Sequence, residues 1–323
     1  MYFNSKNNFY HGIMFHHFHD DKIHKRSQGS ISKDEFVKMI NFIGRKNILN
    51  ADEFFKKFKN NSLKENQLCL TFDDAVKSQI DIALPVLEQF EIKSFFFVYT
   101  SIFQGEPDNL EIFRYFRTNY FKNIDDFYLN FYKILNKNLD NFFNDNEFKI
   151  KSIKLKSPYY SLDDIKFRLV RDNYLSLEEY ENTMDSMMNE KKFVPKEFYS
   201  KLFFNKNDLI TLDKLGHLIG LHSHNHPTLF ANLKYQEQKD EYDKSLSIIS
   251  EILNKPKKNI KFMSHPCGSY NEDTLKILED IGIELGFKHI MSIEPEKGMK
   301  KINNSFLEIA REDHAQILKT MFK

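Results

Sequence analysis

The chain has 323 residues, with 47 Lys+Arg against 46 Asp+Glu and a formal net charge of +1. It is long enough for one α/β barrel with an insertion, or for two domains, and too evenly charged for a global pull toward nucleic acid or an anionic membrane. Its two cysteines, Cys69 and Cys267, lie far apart, so free thiols in a reducing compartment are expected rather than a disulfide scaffold.

The first eight residues are polar and lack the apolar stretch of a secretory signal. The most apolar run, 94–103, is too short to span a bilayer. A soluble, cytoplasmic chain with no transmembrane segment is the expectation.

Residues 12–15 predict a strand that ends in the cluster His16, His17, Phe18, His19. Ser32 and Glu35 have capping-box spacing, and Phe36, Met39, Ile40 and Ile43 recur at helical intervals behind them. Asn50 is positioned to cap a second short helix. Residues 67–72 form a short apolar strand running into Asp73 and Asp74. A helix over 80–90, disturbed early by Pro85, leads to a continuous apolar strand at 93–99, the pattern of a sheet buried on both faces. Strand, helix and strand in alternation indicate parallel α/β architecture.

Residues 104–207 change character, being rich in Phe, Tyr, Asn and Lys, with helix starts at Ser161 and Ser176. They read as a mostly helical insertion of unknown role, with 1–103 and 208–323 forming the main domain. The α/β rhythm resumes at 215–221, which delivers His222, Ser223, His224, Asn225, His226 and Pro227. A long helix over 235–253 and a strand at 260–263 follow. Asn271 then caps a helix ending at Gly282, and short strands at 285–289 and 307–310 complete the series.

The Asp and His clusters sit where predicted strands end, and in α/β barrels the C-terminal strand ends build the site. Adjacent side chains leaving a strand diverge, so the Asp pair suits divided labour: one carboxylate on a metal, its neighbour aimed at a water. Three histidines within five residues suit a cation, and His222 and His226 can face one ion from a single turn, with His224 pointing away. Two His and one Asp leave coordination positions open, as at a catalytic site. Such a metal with a free carboxylate beside it describes hydrolysis of an amide or ester.

These residues resemble the polysaccharide deacetylase family, carbohydrate esterase family 4. Its Thr-Phe-Asp-Asp-Gly motif resembles Thr71–Ala75, and its His-[Ser/Thr]-x-x-His-Pro motif matches His222, Ser223, His226 and Pro227. The likeness covers residues 10–103 and 208–315. It implies a distorted (β/α) barrel with fewer than eight regular strands, Asp73 as base, and Asp74, His222 and His226 as ligands of a divalent metal, usually zinc. It also implies removal of an N-acetyl or other short N-acyl group from an amino sugar of a surface glycan or its precursor.

Three departures stand out. Ala75 replaces the glycine after the Asp pair. The Arg and Tyr of the third motif are missing from Ser264-His265-Pro266-Cys267, leaving Arg311 as the candidate to orient the base. The rest, Pro266 to Asn271, resembles the Pro-x-Gly-x-Tyr-Asn form of a subgroup acting on cell-surface glycans, and Pro266, Tyr270 and His265 are the candidate substrate contacts. No late Leu-x-His motif supplies the acid. Met14-Phe15-His16 instead resembles a permuted branch with the acid on the first strand, which points to His16, with His314 as a weaker rival and His17 and His19 as solvated neighbours. Cys267, beside the site, reads as a buried free thiol rather than a metal contact. An N-formyl-sugar deformylase, a small-amide amidohydrolase and an inactive glycan-binding module stay open as alternatives. So does loose membrane association through a lipid-linked substrate; the oligomeric state is not readable.

Overall fold

The structure, a computed structural model, describes residues 11–156, 160–289 and 305–321. It contains two compact units: Met1–Asp108 with Ser200–Lys323, and Asn109–Tyr199.

Among the described residues the first unit has nine strands: β1 (His11–Phe15), β2 (Phe18–His19), β3 (Ile31–Ser32), β4 (Leu68–Phe72), β5 (Phe95–Val98), β6 (Leu218–Leu221), β7 (Phe262–Ser264), β8 (Leu285–Phe287) and β9 (Arg311–Asp313). β2 and β3 form a separate two-stranded sheet. The other seven run parallel in the order β8-β7-β6-β5-β4-β1-β9. The last of the expected strands begins later than 307–310. There, Ile309 makes a single bridge to Phe287 of β8, while the next residues join β1 through Gly12 paired with Arg311. One segment thus touches both edges of the sheet, and the barrel is nearly closed with seven strands, as the resemblance implied.

Burial explains the strand sequences. β1, β4 and β5 are buried at every position, because helices cover one face and the barrel interior takes the other. Side chains alternate between the two faces. Phe95, Phe97 and Phe287 meet inside the barrel at ring separations of 5.3–5.9 Å, although β6 and β7 lie between their strands. Phe96, Val98, Leu70 and Phe72 face outward to a larger helix-covered core. At Gly220 an added Cβ would lie 2.6 Å from the Phe262 carbonyl oxygen, so only glycine allows β6 this close to β7.

The helices follow their local signals with two exceptions. Ser32 forms its capping box with Glu35, and Phe36, Met39, Ile40 and Ile43 are all buried. Asn50 precedes the Ala51–Lys59 helix, but its side chain accepts from the Lys93 N–H instead of capping. The helix expected over 80–90 splits into a π-turn, Gln79–Ala83, and an α-helix, Leu84–Gln89, with Pro85 in the first turn of the latter, where its missing N–H costs nothing. In the Asn109–Tyr199 unit every regular element among the described residues is a helix, and Ser161 and Ser176 each cap one there.

Candidate metal centre

The period-two alternation of the strands assembles the site. On β4 the inward face carries Cys69 and Thr71, and the next inward position is Asp73, just past the strand end. On β6, Leu218 and Gly220 precede His222 in the same way, and on β7 Phe262 precedes Ser264. Asp74 breaks the alternation. It and Ala75 have φ of 71° and 52°, a left-handed pair that swings the second carboxylate back toward the same space. Ser223, His226 and Cys267 also have positive φ, so five of the eleven such non-glycine residues among the described residues surround one point. Concentrated backbone strain of this kind marks a functional site.

Asp74, His222 and His226 bring three donor atoms within 4.8 Å of one another. The Asp74 Oδ1 lies 3.1 Å from His222 Nε2 and 3.4 Å from His226 Nε2. Each imidazole is anchored from behind: His222 Nδ1 is 2.8 Å from the Ser264 carbonyl oxygen, and His226 Nδ1 is 2.8 Å from Asp108 Oδ2. These bonds place the Nδ1 protons and leave both Nε2 lone pairs facing the shared point, the outer-shell pattern of metal-bound histidines. Burial would raise the Asp74 carboxyl, but His16, His226 and His222 hold it well below the usual carboxylate range. Burial likewise opposes charge on His226, yet Asp74 and Asp108 raise its basicity well above normal. The pocket favours positive charge, and its O, N, N donor set fits a divalent cation.

Asp73 is held apart from this cluster. Arg311 donates from Nη1 to Oδ1 and from Nη2 to Oδ2, both at 2.7 Å, in a fully buried two-pronged pair. Ser264 Oγ donates to Asp73 Oδ2 at 3.1 Å and accepts from Arg311 at 2.7 Å. Arg311 also donates to Thr71 Oγ1, whose hydroxyl in turn donates to the Ile13 carbonyl. Burial pushes the Asp73 carboxyl up, and the charge and hydrogen bond of Arg311, together with His222 and His16, more than offset it and keep the group below its ordinary range. The arginine that clamps Asp73 thus comes from β9.

His16 sits at the end of β1 with Nε2 3.8 Å from Asp74 Oδ2, partly open to solvent. His314 is buried between the Met14 and Gly29 carbonyl oxygens and is occupied there. His224 turns away as expected, its Nδ1 2.8 Å from Thr100 Oγ1. His265 is buried, donates from Nε2 to the Leu307 carbonyl and stacks on Tyr270 at 4.0 Å. The Tyr270 hydroxyl donates to Glu308, and Pro266 is buried at the start of the neighbouring turn. Two expectations need correction. His19 is not solvated: it is buried, with Nδ1 2.9 Å from Ser30 Oγ. Cys267 is not buried: its left-handed turn exposes it, with Sγ 4.0 Å from His226 Nε2.

Sequence reasoning missed Asp108, Ser264 as a bridge, and Gln79, whose side-chain amide ties the Asp73 and His16 carbonyls together. It also missed His289, which lies against Gly268 with an Nε2 that has no hydrogen-bond partner among the described residues.

Residues 170–286 match the family model described as polysaccharide deacetylase. The matched stretch holds His222 and His226, whereas Asp73 and Asp74 lie outside it. Over that stretch the chain is similar to the polysaccharide deacetylases. Among solved structures it resembles the Streptococcus pyogenes deacetylase PplD in complex with acetate, at 15% identity and a TM-score of 0.56, covering 97% of this chain and 98% of that one. It also resembles a de-N-acetylase from Aggregatibacter actinomycetemcomitans (13%, TM-score 0.54, covering 97% and 99%) and IcaB from Ammonifex degensii (12%, TM-score 0.54, covering 98% and 98%). At such identities these likenesses establish the fold. No curated protein matches the sequence.

Proposed function

We propose that the chain is a metal-dependent hydrolase that removes an N-acetyl or similar short N-acyl group from an amino sugar of a surface glycan or its precursor. The observation that carries this reading is the pairing of two differently prepared carboxylates on one rim: Asp74 among two back-anchored imidazoles, Asp73 clamped by Arg311.

Asp74, His222 and His226 would hold a divalent cation, zinc being the expected one. Bound there, such an ion polarises a carbonyl and makes water more acidic. Asp73 stays ionised beside Arg311, its orientation fixed by the two parallel bonds, and accepts the proton of the attacking water. His16, beside the other Asp74 oxygen from the two metal-site histidines, protonates the departing amine, so that water adds to the acyl carbon, the C–N bond breaks, and a free acid and an amino sugar result. Pro266, His265 and Tyr270 supply a wall for the sugar, made rigid by the stack and by the Glu308 bond. The closeness of His16 to Asp74 supports the permuted arrangement, with the acid on β1.

The test is to load the protein with zinc and assay N-acetylated and N-formylated amino sugars side by side for released acid. His222→Ala should abolish stoichiometric metal binding, and Asp73→Asn should keep the metal while turnover falls by a factor on the order of 10²–10⁴. Release of formate alone would move the assignment to a deformylase. Metal-loaded protein that binds glycan and releases no acid would overturn the hydrolase reading.

A further inference from the structure

The Glu147–Lys156 helix in the Asn109–Tyr199 unit has an unusual pattern. Its sequence, EFKIKSIKLK, alternates apolar residues with lysines, a strand-like period on a helical backbone. At 100° per residue, Ile150 and Ile153 fall on one side, where Ile150 is buried and Ile153 packs against Ile165 and Leu169. Phe148 and Leu155, seven residues apart, share the opposite side and are 86% and 83% exposed. The helix therefore has two apolar faces, one seated in the core of its unit and one turned to solvent.

Single exposed apolar residues are ordinary, but two large ones aligned two turns apart on one helix face are not. The same ten residues carry four lysines against one glutamate. Lys149 and Lys151 are exposed at the edges of the apolar stripe, and Glu147 neutralises only Lys151, at 2.6 Å. The Ile165 and Leu169 contacts fix the inner face, and the described residues leave the outer face uncovered. A partner must therefore offer an apolar layer beneath a negative surface, which is the layering of an anionic bilayer. Among the described residues no helix is long and apolar enough to cross a membrane, so the contact is peripheral.

We infer that the outer face of this helix docks the protein onto anionic lipid, with Phe148 and Leu155 entering the headgroup–acyl boundary and Lys149 and Lys151 meeting lipid phosphates. Loose association with a membrane then follows from a surface of the protein itself, whether or not its substrate is lipid-linked.

The experiment is co-sedimentation of the full chain with vesicles of phosphatidylcholine alone or mixed with phosphatidylglycerol, at low and at raised salt. Binding is expected to the mixed vesicles only and to fall as salt rises. Phe148→Ser with Leu155→Ser should weaken it at least tenfold, and Lys149→Gln with Lys151→Gln about tenfold, on the order of fivefold or less per lysine given the Glu147 pairing. All four side chains are exposed, so unchanged circular dichroism and melting are expected and checked in each variant. Equal sedimentation with both lipids, or full binding by the Phe148/Leu155 variant, overturns the inference. So does a concentration-dependent dimer that this variant abolishes in lipid-free buffer, because the face would then be a self-association surface.

Discussion

Arg311 and Asp73 lie 238 residues apart in sequence and are almost completely buried together. Inside a protein such a pair gains little net stability, because desolvation offsets attraction, but removing one partner strands the other. Arg311→Ala should therefore cost about 3–5 kcal/mol in urea unfolding. Arg311→Lys keeps the charge and loses the two-pronged geometry. Its stability loss should be smaller, while turnover drops roughly 10–100-fold, as for partners that orient a site residue at one remove. A lysine variant with undiminished turnover would show that Arg311 serves the fold alone. At this scale the sequence was legible where chemistry compresses into short spacing: Asp73-Asp74 and His222-x-x-x-His226 are readable because each pair is fixed by one strand end. Asp108 was not, because a single aspartate after Pro107 carries no pattern, and only the fold brings it to His226.

Strands and helices were legible wherever one rule governed them. Ser32, Ser161, Ser176 and Asn271 cap helices because each side-chain oxygen has an orphan N–H three residues ahead. Asn50 failed because the Lys93 N–H competed for the same oxygen, a tertiary contact with no local trace. The 307–310 strand failed because closure, not pattern, chooses which residues pair: Ile309 can bond only one edge before the chain must cross to β1. The β5–β6 seam holds one more such contact. His217 accepts the Ser94 N–H at Nδ1, packs edge-on against Phe96, and is pushed down to about 4, first by burial and then by Lys93. The sign follows from proton uptake. Above pH 6.5 His217 is neutral folded or unfolded and contributes no pH dependence; below it, only the unfolded chain takes the proton. Stability should fall between pH 6.5 and about 4, by up to roughly 3 kcal/mol from this residue. His217→Gln should flatten that part of the stability–pH curve; an unchanged curve would assign the acid sensitivity elsewhere.

For the molecule as a whole, alternation indicated parallel α/β architecture and the family resemblance implied a barrel of fewer than eight strands; the seven observed strands enclose a narrow interior in which inward side chains meet. The role of the helical unit was not legible, since burying its own Phe and Tyr residues uses the aromatics that would otherwise suggest a sugar platform. The segment that closes the barrel has a further consequence for how the molecule comes into being. A ribosome finishes Asp73 long before it reaches Arg311, so for most of synthesis the carboxylate stands in a half-built ring with no counter-charge. Competence then arrives as a late event, coupled to closure rather than to the appearance of helices. In refolding, helical signal should return before turnover, and turnover in a chain cut short at residue 304 would contradict this order. Under the proposed function, incomplete molecules are in this sense self-silenced: the last strand to join is the one that brings Arg311 to Asp73.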